Sequence, residues 1–99
     1  MNQKQIVLKA IMNFLRITYQ CYKSTNYTED RIAFQSDIAL CAKWLLELEE
    51  DKNINLIIEN VMDASTSKHI CDYYKQGEFG NMQTAAFENL RSEMRKITF

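Results

Sequence analysis

The sequence has almost none of the residues that interrupt helices. It contains no proline, and its two glycines, Gly77 and Gly80, lie three positions apart. Proline and glycine are the strongest local signals for turns and breaks. The residues before Gly77 therefore form long apolar-periodic stretches without a strong interruption, and this absence favours a compact bundle of helices.

Long apolar runs and a large net charge are also missing. No run approaches the ~20 apolar residues that a membrane-spanning helix needs. Lys9, Asn13 and Arg16 interrupt the apolar segment near the N-terminus, which disfavours a secretory signal. The formal net charge is −1, so the chain lacks the basic excess typical of nucleic-acid-binding proteins. We expect a cytoplasmic protein without a membrane segment.

The composition that remains is that of one folded domain. Hydrophobic residues make up 46% and charged residues 25% of the 99 positions, which are ordinary globular values and disfavour disorder. This length predicts a single domain, residues 1–99, with one modest core. Cys21, Cys41 and Cys71 are widely spaced on apolar stretches, and we interpret them as buried, reduced thiols.

Apolar residues recur at alternating spacings of three and four in four segments, which is the period of an amphipathic helix. The pattern predicts helices from about Asn2 to Tyr22, Glu29 to Glu50, Ile54 to Gln76 and Met82 to about Ile97. Three short loops between them favour an all-α, four-helix antiparallel up-down bundle. The core positions predicted on the second helix are Phe34, Ile38, Cys41, Leu45 and Leu48, with Ala33, Leu40 and Trp44 broadening that face. Those predicted on the fourth helix are Ala86, Phe87, Leu90, Met94 and Ile97.

Side chains that favour caps mark the starts of two helices. Thr28, or alternatively Asn26, is predicted to cap the second helix, and Asn53 the third. These side chains can accept a hydrogen bond from the backbone amides that the first helical turn leaves free.

The third helix has a weak middle and a marked end. The run Asp63–Ser67 is poor in helix formers, so this helix is either continuous with a weak or kinked middle, which we favour, or broken near Ser65. Gly77 is predicted to end it in the left-handed conformation. Residues 78–80 then form the last turn, and Asn81 caps the fourth helix.

The first helix is apolar around most of its circumference. Such a narrow polar stripe predicts either the central helix of the bundle or a helix buried in a homodimer. The polar positions of this helix are Lys9, Asn13, Arg16, Gln20 and Lys23.

The second helix closes on four acidic residues: Glu47, Glu49, Glu50 and Asp51. Negative charge at a helix C-terminus opposes the helix dipole, so a compensating partner is expected. In an antiparallel hairpin Lys4 and Lys9 would lie beside this acidic end and neutralise it. The alternative is that the acidic patch attracts a basic partner protein.

An aromatic group, Tyr73, Tyr74 and Phe79, lies around the glycines. Two adjacent tyrosines on a helix cannot both point to the core, so at least one is lateral or exposed. The group either packs at the end of the bundle or anchors a protein partner, a use for which tyrosine is well suited.

Reactive constellations are weak throughout. His69 and Asp72 could share a helix face, but one such pair makes a poor metal site, and a single histidine leaves no convincing catalytic pair. The segment 77–80 precedes a helix as a phosphate-binding loop does, yet Glu78 would repel the anion. We expect no enzyme activity, no metal and no cofactor.

The sequence therefore favours a small non-enzymatic protein-binding module that acts by surface occlusion, as an immunity protein, an inhibitor or an adaptor. In general shape alone it is similar to helical bacteriocin immunity proteins. The acidic patch would orient a basic partner protein and the aromatic group would supply desolvated contacts. The alternatives are a homodimeric structural or regulatory protein that pairs through the first helix and, less favoured, a nucleic-acid-associated regulator that uses Lys9, Arg16 and Lys23.

Overall fold

The structure, a computed structural model, describes residues 2–70 and 77–98, and they form four helices. Their bounds are α1 (Gln3–Ser24), α2 (Thr28–Glu49), α3 (Ile54–Ile70) and α4 (Gly77–Thr98). The helices pack antiparallel, so the predicted all-α up-down bundle is confirmed.

The helices are not equally surrounded. Helix α1 packs against α2 on one side and α4 on the other, and α4 also packs against α3, whereas α2 and α3 touch only lightly. The order across the bundle is therefore α2, α1, α4, α3. Within the described residues, no helix combines the length and the apolarity that a bilayer-spanning segment needs.

Asparagine side chains start two of the helices. Asn2 caps α1 in a reciprocal capping box, in which its Oδ1 accepts from the Gln5 amide (2.8 Å) and Gln5 Oε1 accepts from the Asn2 amide (3.1 Å). Asn53 Oδ1 accepts from the amides of Asn55 (3.0 Å) and Leu56 (3.4 Å). The predicted Asn53 cap of α3 is thus confirmed.

The cap predicted for α2 is wrong. Thr28 is already the first helical residue, and Tyr27 occupies the cap position without a side-chain hydrogen bond. The turn is organised instead by the buried Thr25, whose Oγ1 accepts from the Tyr27 amide (3.2 Å) and whose carbonyl accepts from Arg31 (3.3 Å). Asn26, the alternative, lies exposed in this turn.

The predicted turn at the glycines is also wrong. Helix α4 begins at Gly77, so Gly77, residues 78–80 and Asn81 are all helical. Gly80 is buried and its carbonyl accepts from Thr84 Oγ1 (3.0 Å), while Phe79 packs against the core. Burial of Gly80 and the packing of Phe79 offset the roughly 1 kcal/mol that a glycine costs inside a helix.

Helix α3 is continuous through its weak middle and reaches Ile70. Ser65 is buried, and its hydroxyl donates to the Met62 carbonyl (2.9 Å), which satisfies it within the helix. No break occurs near Ser65. The predicted continuation to Gln76 lies outside the described residues.

One hydrophobic core joins all four helices, with Phe14 and Phe87 at its centre (ring centroids 4.5 Å apart). The predicted stripe of α4 is confirmed: four members are buried and Ile97 is half-buried. On α2, Phe34, Cys41, Trp44 and Leu48 are buried as predicted, whereas Ile38 and Leu45 are only half-buried. Asp37, which was not predicted, also lies in the core line.

Two of the cysteines are buried free thiols, as predicted. Burial raises the pKa of the Cys21 thiol. Burial, followed by the charge of Asp37, raises the pKa of Cys41 to about 12. Cys71 lies outside the described residues.

Candidate functional site

Helix α1 carries an apolar stripe that faces away from the core. Leu8, Met12 and Tyr19 are 43%, 49% and 52% exposed, and Leu15 between them is half-buried. Their spacing of four, three and four places them on one side of the helix. Within a single chain α1 is therefore not wrapped on most sides, and this apolar stripe is left open.

Helix α2 supplies a parallel stripe with the same spacing. Ile38 and Leu45 are half-buried and Ala42 is exposed. Leu8 and Met12 line a shallow groove of about 410 Å³ together with Leu45 and Leu48. We call the combined surface the α1–α2 face; it comprises Leu8, Met12, Leu15 and Tyr19 from α1 and Ile38, Ala42 and Leu45 from α2.

The α1–α2 face has a cationic end. Four-and-three spacing continues the α2 stripe back to Arg31, and the α1 stripe runs on to Lys23. Lys23 Nζ lies 5.4 Å from the centroid of the Tyr19 ring, and the Arg31 guanidinium lies 5.4 Å from that of Tyr22. Neither cation forms an ion pair within the described part of the chain.

The opposite end of the α1–α2 face is acidic. The α2 stripe ends at Glu49, which is exposed and borders the groove beside Lys4. Among residues 2–70 and 77–98, neither Glu49 nor the half-buried Glu47 forms an ion pair.

The other two acids of the predicted patch are paired within the chain. Lys4 Nζ lies 2.6 Å from Asp51 Oδ1, and Lys52 Nζ lies 3.6 Å from Glu50 Oε2. The antiparallel hairpin thus brings Lys4 to the acidic end as expected, whereas Lys9 lines a groove between α1 and α4. Intrachain pairing accounts for Glu50 and Asp51, and Glu47 and Glu49 have no ion pair among the described residues.

The backbone turn that follows α2 holds the acidic residues in place. The amides of Asp51 and Lys52 donate to the carbonyls of Leu48 (3.2 Å) and Glu47 (3.0 Å), and Asp51 has φ 56°. This is the pattern of a Schellman motif, in which the left-handed position is usually glycine. The turn therefore holds the acidic residues in a defined arrangement at a small conformational cost.

The predicted aromatic group does not join the acidic patch in the described residues. Phe79 is half-buried in the first turns of α4 and packs against the core. Gln3 Nε2 donates to the Ile97 carbonyl (3.3 Å), so the start of α1 meets the end of α4. Phe79 therefore lies at the opposite end of the bundle from Glu47 and its neighbours. Tyr73 and Tyr74 lie outside the described residues.

A buried polar trio went unpredicted. Thr18, Asp37 and Gln83 are fully buried on α1, α2 and α4. Gln83 Nε2 donates to Thr18 Oγ1 (2.8 Å) and to Asp37 Oδ2 (3.2 Å). The trio ties three helices together at one level, so it fixes how they pack. The only sequence signal was that each residue occupies a core-facing position of its helix.

The groove between α1 and α4 is a weaker candidate. Its volume is about 500 Å³, and Ala10, Ile6 and Ile97 form its apolar part. Lys96 on its rim is paired with Glu93 (3.0 Å). Its polar groups do not converge on one point as those of a small-molecule site do.

Metal-ligating side chains do not gather in the described part of the chain, where no three His, Cys, Asp or Glu residues converge. Cys71 and Asp72 lie outside it, and so does the side chain of His69.

Comparison with known proteins identifies no relative of this chain. The chain matches no protein-family model, and neither a search of curated proteins nor a search of solved structures finds a match.

Proposed function

We propose that this chain is a small non-enzymatic protein-binding module that acts by surface occlusion, as an immunity protein, an inhibitor or an adaptor does. The observation that carries the proposal is the α1–α2 face, an exposed apolar strip bordered at one end by Glu49, which forms no ion pair among the described residues.

The apolar part of the face supplies binding energy. Exposing large aliphatic and aromatic side chains in one strip is unfavourable in water, and contiguous apolar patches mark interaction sites. Met12 and Tyr19 are residue types that suit such a role, because methionine adapts its shape and tyrosine is stiff and half polar. A partner that covers the strip therefore gains from its desolvation.

The acidic end selects the partner. Glu49 presents negative charge at the end of the strip, and Glu47, on a different side of α2, adds to the charge of this end of the bundle. This charge favours a partner protein with a basic patch and guides its approach. Glu50 and Asp51 contribute less, because Lys52 and Lys4 already offset their charge. Tyr73 and Tyr74 are kept in the proposal only as the predicted aromatic anchor.

A cytoplasmic location is part of the proposal. Cys21 and Cys41 are buried free thiols, which suits a reducing compartment.

Partner capture followed by titration tests the proposal. The wild-type chain, Met12→Glu and a control, Leu56→Glu, are used in parallel to capture proteins from the native host. Leu56 is 53% exposed on α3, which matches Met12 in exposure. The captured protein is then purified and titrated against each chain. We expect Met12→Glu to weaken binding at least about tenfold and Leu56→Glu to leave it unchanged; equal binding by all three would place the contact surface elsewhere.

Association kinetics test the role of charge. Glu49→Lys should slow association with the captured partner, and the slowing should shrink at high salt because exposed charges are screened. Glu59→Lys, at an exposed site on α3, is the matched control. If Glu49→Lys lowers thermal stability and leaves the association rate unchanged, the acidic end has a structural role only.

A further inference from the structure

We infer that the α1–α2 face also binds a second copy of this chain, through a two-fold axis that passes through the middle of the face. The inference rests on the proposed function, since both require this face to bind protein. It goes further because it identifies one occupant by chemistry: the face is complementary to itself.

The order of charge along the face carries the inference. Because a helix rises about 1.5 Å per residue, Arg31 and Glu49 lie about 27 Å apart on the same side of α2. Lys23 adds a second cation at the Arg31 end. A 180° rotation about an axis that lies in the face and runs across both helices exchanges the two ends, so Glu49 of each copy meets Arg31 on α2 of the other, with Lys23 on the neighbouring helix. Lys4, also at the acidic end, is already paired with Asp51. A parallel arrangement would place like charges together, which is unfavourable.

The middle of the face fits the centre of such an interface. The residues nearest the midpoint are Met12 and Leu15 on α1 and Ile38 and Ala42 on α2, and all four are apolar. In a two-fold interface the same residues meet themselves or each other across the axis. An apolar centre with charged ends is the usual composition of protein interfaces. The small side chain of Ala42 lets the opposing helices come close.

The area is sufficient for a dimer. Both helices are 22 residues long, so the face measures about 33 Å by about 20 Å for two neighbouring helices, or about 650 Å² per copy. Stable interfaces bury about 600–1,000 Å² per partner, and the face lies at the lower end of that range.

Sedimentation equilibrium of the full chain is the first test. At about 100 µM, where a dimer of micromolar affinity is saturated, the wild-type chain should have twice the monomer mass. Met12→Glu should be monomeric, and Leu56→Glu should remain a dimer; thermal melts show that each variant is folded. A wild-type monomer at this concentration overturns the inference.

Complementary charge variants test the antiparallel arrangement. Glu49→Lys makes both ends of the face cationic, and the double variant Lys23→Glu/Arg31→Glu makes both ends acidic. Each alone should dimerise at least about tenfold more weakly than the wild type, and an equimolar mixture should regain dimers. If Arg31→Glu prevents folding, Lys23→Glu alone replaces the double variant. A mixture that stays monomeric overturns the arrangement.

The two proposals fail in different ways. A monomeric wild-type chain whose Met12→Glu variant loses the captured partner removes the dimer and keeps the proposed function. A dimer that dissociates on Met12→Glu, together with unchanged partner binding, keeps the dimer and removes the proposed partner surface.

Discussion

The two sides of α2 differ in a way that the usual inside-outside rule does not predict. The inner stripe runs through Phe34, Asp37, Cys41 and Trp44 and includes a fully buried carboxylate. The outer stripe, Ile38, Ala42 and Leu45, is aliphatic and partly open to water. The buried carboxylate of Asp37 accepts a hydrogen bond from Gln83, and both belong to the trio that joins three helices. On the outer stripe Leu45 packs partly against the core, whereas Ala42 stays exposed. Our proposal is that a partner surface covers the part of this stripe that remains open.

The energies involved show why the inner stripe needs hydrogen-bond donors and why the outer surface gains from being covered. Burying a polar group without a hydrogen bond costs roughly 2–7 kcal/mol, so Asp37 is tolerable only with donors such as Gln83 Nε2. Fully burying a large aliphatic side chain stabilises by about 1.5–3 kcal/mol, and roughly half of that gain is unused at Leu8 and Met12, which are 43% and 49% exposed. The hydrogen-bond donors of Asp37 are built into the fold, and under our proposal the cover for Leu8 and Met12 comes from another protein surface.

The largest expected effect sharpens the contrast between the two stripes of α2. Phe34→Ala should destabilise the fold by about 3–5 kcal/mol, because Phe34 is fully buried and its removal opens a cavity. Leu45→Ala, on the outer stripe, should cost less than half as much. Denaturant unfolding measures both, and equal losses would mean that the two stripes are packed alike.

The next effect tests the buried trio. Gln83→Leu keeps the side-chain size but removes the amide that donates to Thr18 and Asp37, and should destabilise by about 1–3 kcal/mol. Gln20→Leu, at an exposed position on the polar stripe of α1, is the control and should be near neutral. A neutral Gln83→Leu would show that the trio contributes nothing to stability.

A smaller and opposite effect is expected at the end of the outer stripe. Asp51 holds φ 56° at the left-handed position after α2, where glycine fits without strain. Asp51→Gly should raise the free energy of unfolding by about 0.5–1 kcal/mol, because the exposed Lys4 pair that it loses is worth little. Thermal melts check this, and a loss of stability would show that the ion pair outweighs the strain.

The smallest effect is the pH response of a second acid on the inner stripe. Burial, and then the charge of Glu29, raises the pKa of Asp30 above its ordinary value of 3.8. The folded state therefore holds this proton more tightly than the unfolded state, and stability falls as pH rises from 3.8 through the folded-state pKa. Asp30→Asn should melt higher than the wild type at about pH 7, with the difference vanishing at about pH 3. A lower melting temperature at about pH 7 would mean that the carboxylate stabilises the first turn of α2.

Local signals were enough for much of the fold. The lack of proline and glycine, together with four apolar periods, predicted the helices and the core stripe of α4, and Asn53 was found as a cap because its partners lie two and three residues away. Tertiary packing decided the rest. Gly80 remains helical because it is buried against other helices, and Thr25 organises its turn through a hydroxyl that a composition argument did not single out.

The candidate site was predictable only in part for the same reason. The acidic end of α2 could be read from the sequence, but which acids Lys4 and Lys52 neutralise depends on the fold. Phe79 lies at the end of the bundle opposite the acidic residues, and this position follows only from the direction in which α4 packs against α1. Thr18, Asp37 and Gln83 become a trio only when α1, α2 and α4 are placed side by side.

The buried thiol of Cys41 can report how often α2 separates from the other helices. With a pKa of about 12, hardly any thiolate exists near neutral pH, and alkylating reagents attack thiolate. Cys41 should therefore be labelled only during the moments when α2 lifts away from its neighbours, and the labelling rate, followed by peptide mass, measures how often that happens. A partner or a second copy seated on the α1–α2 face would slow the rate without touching the thiol.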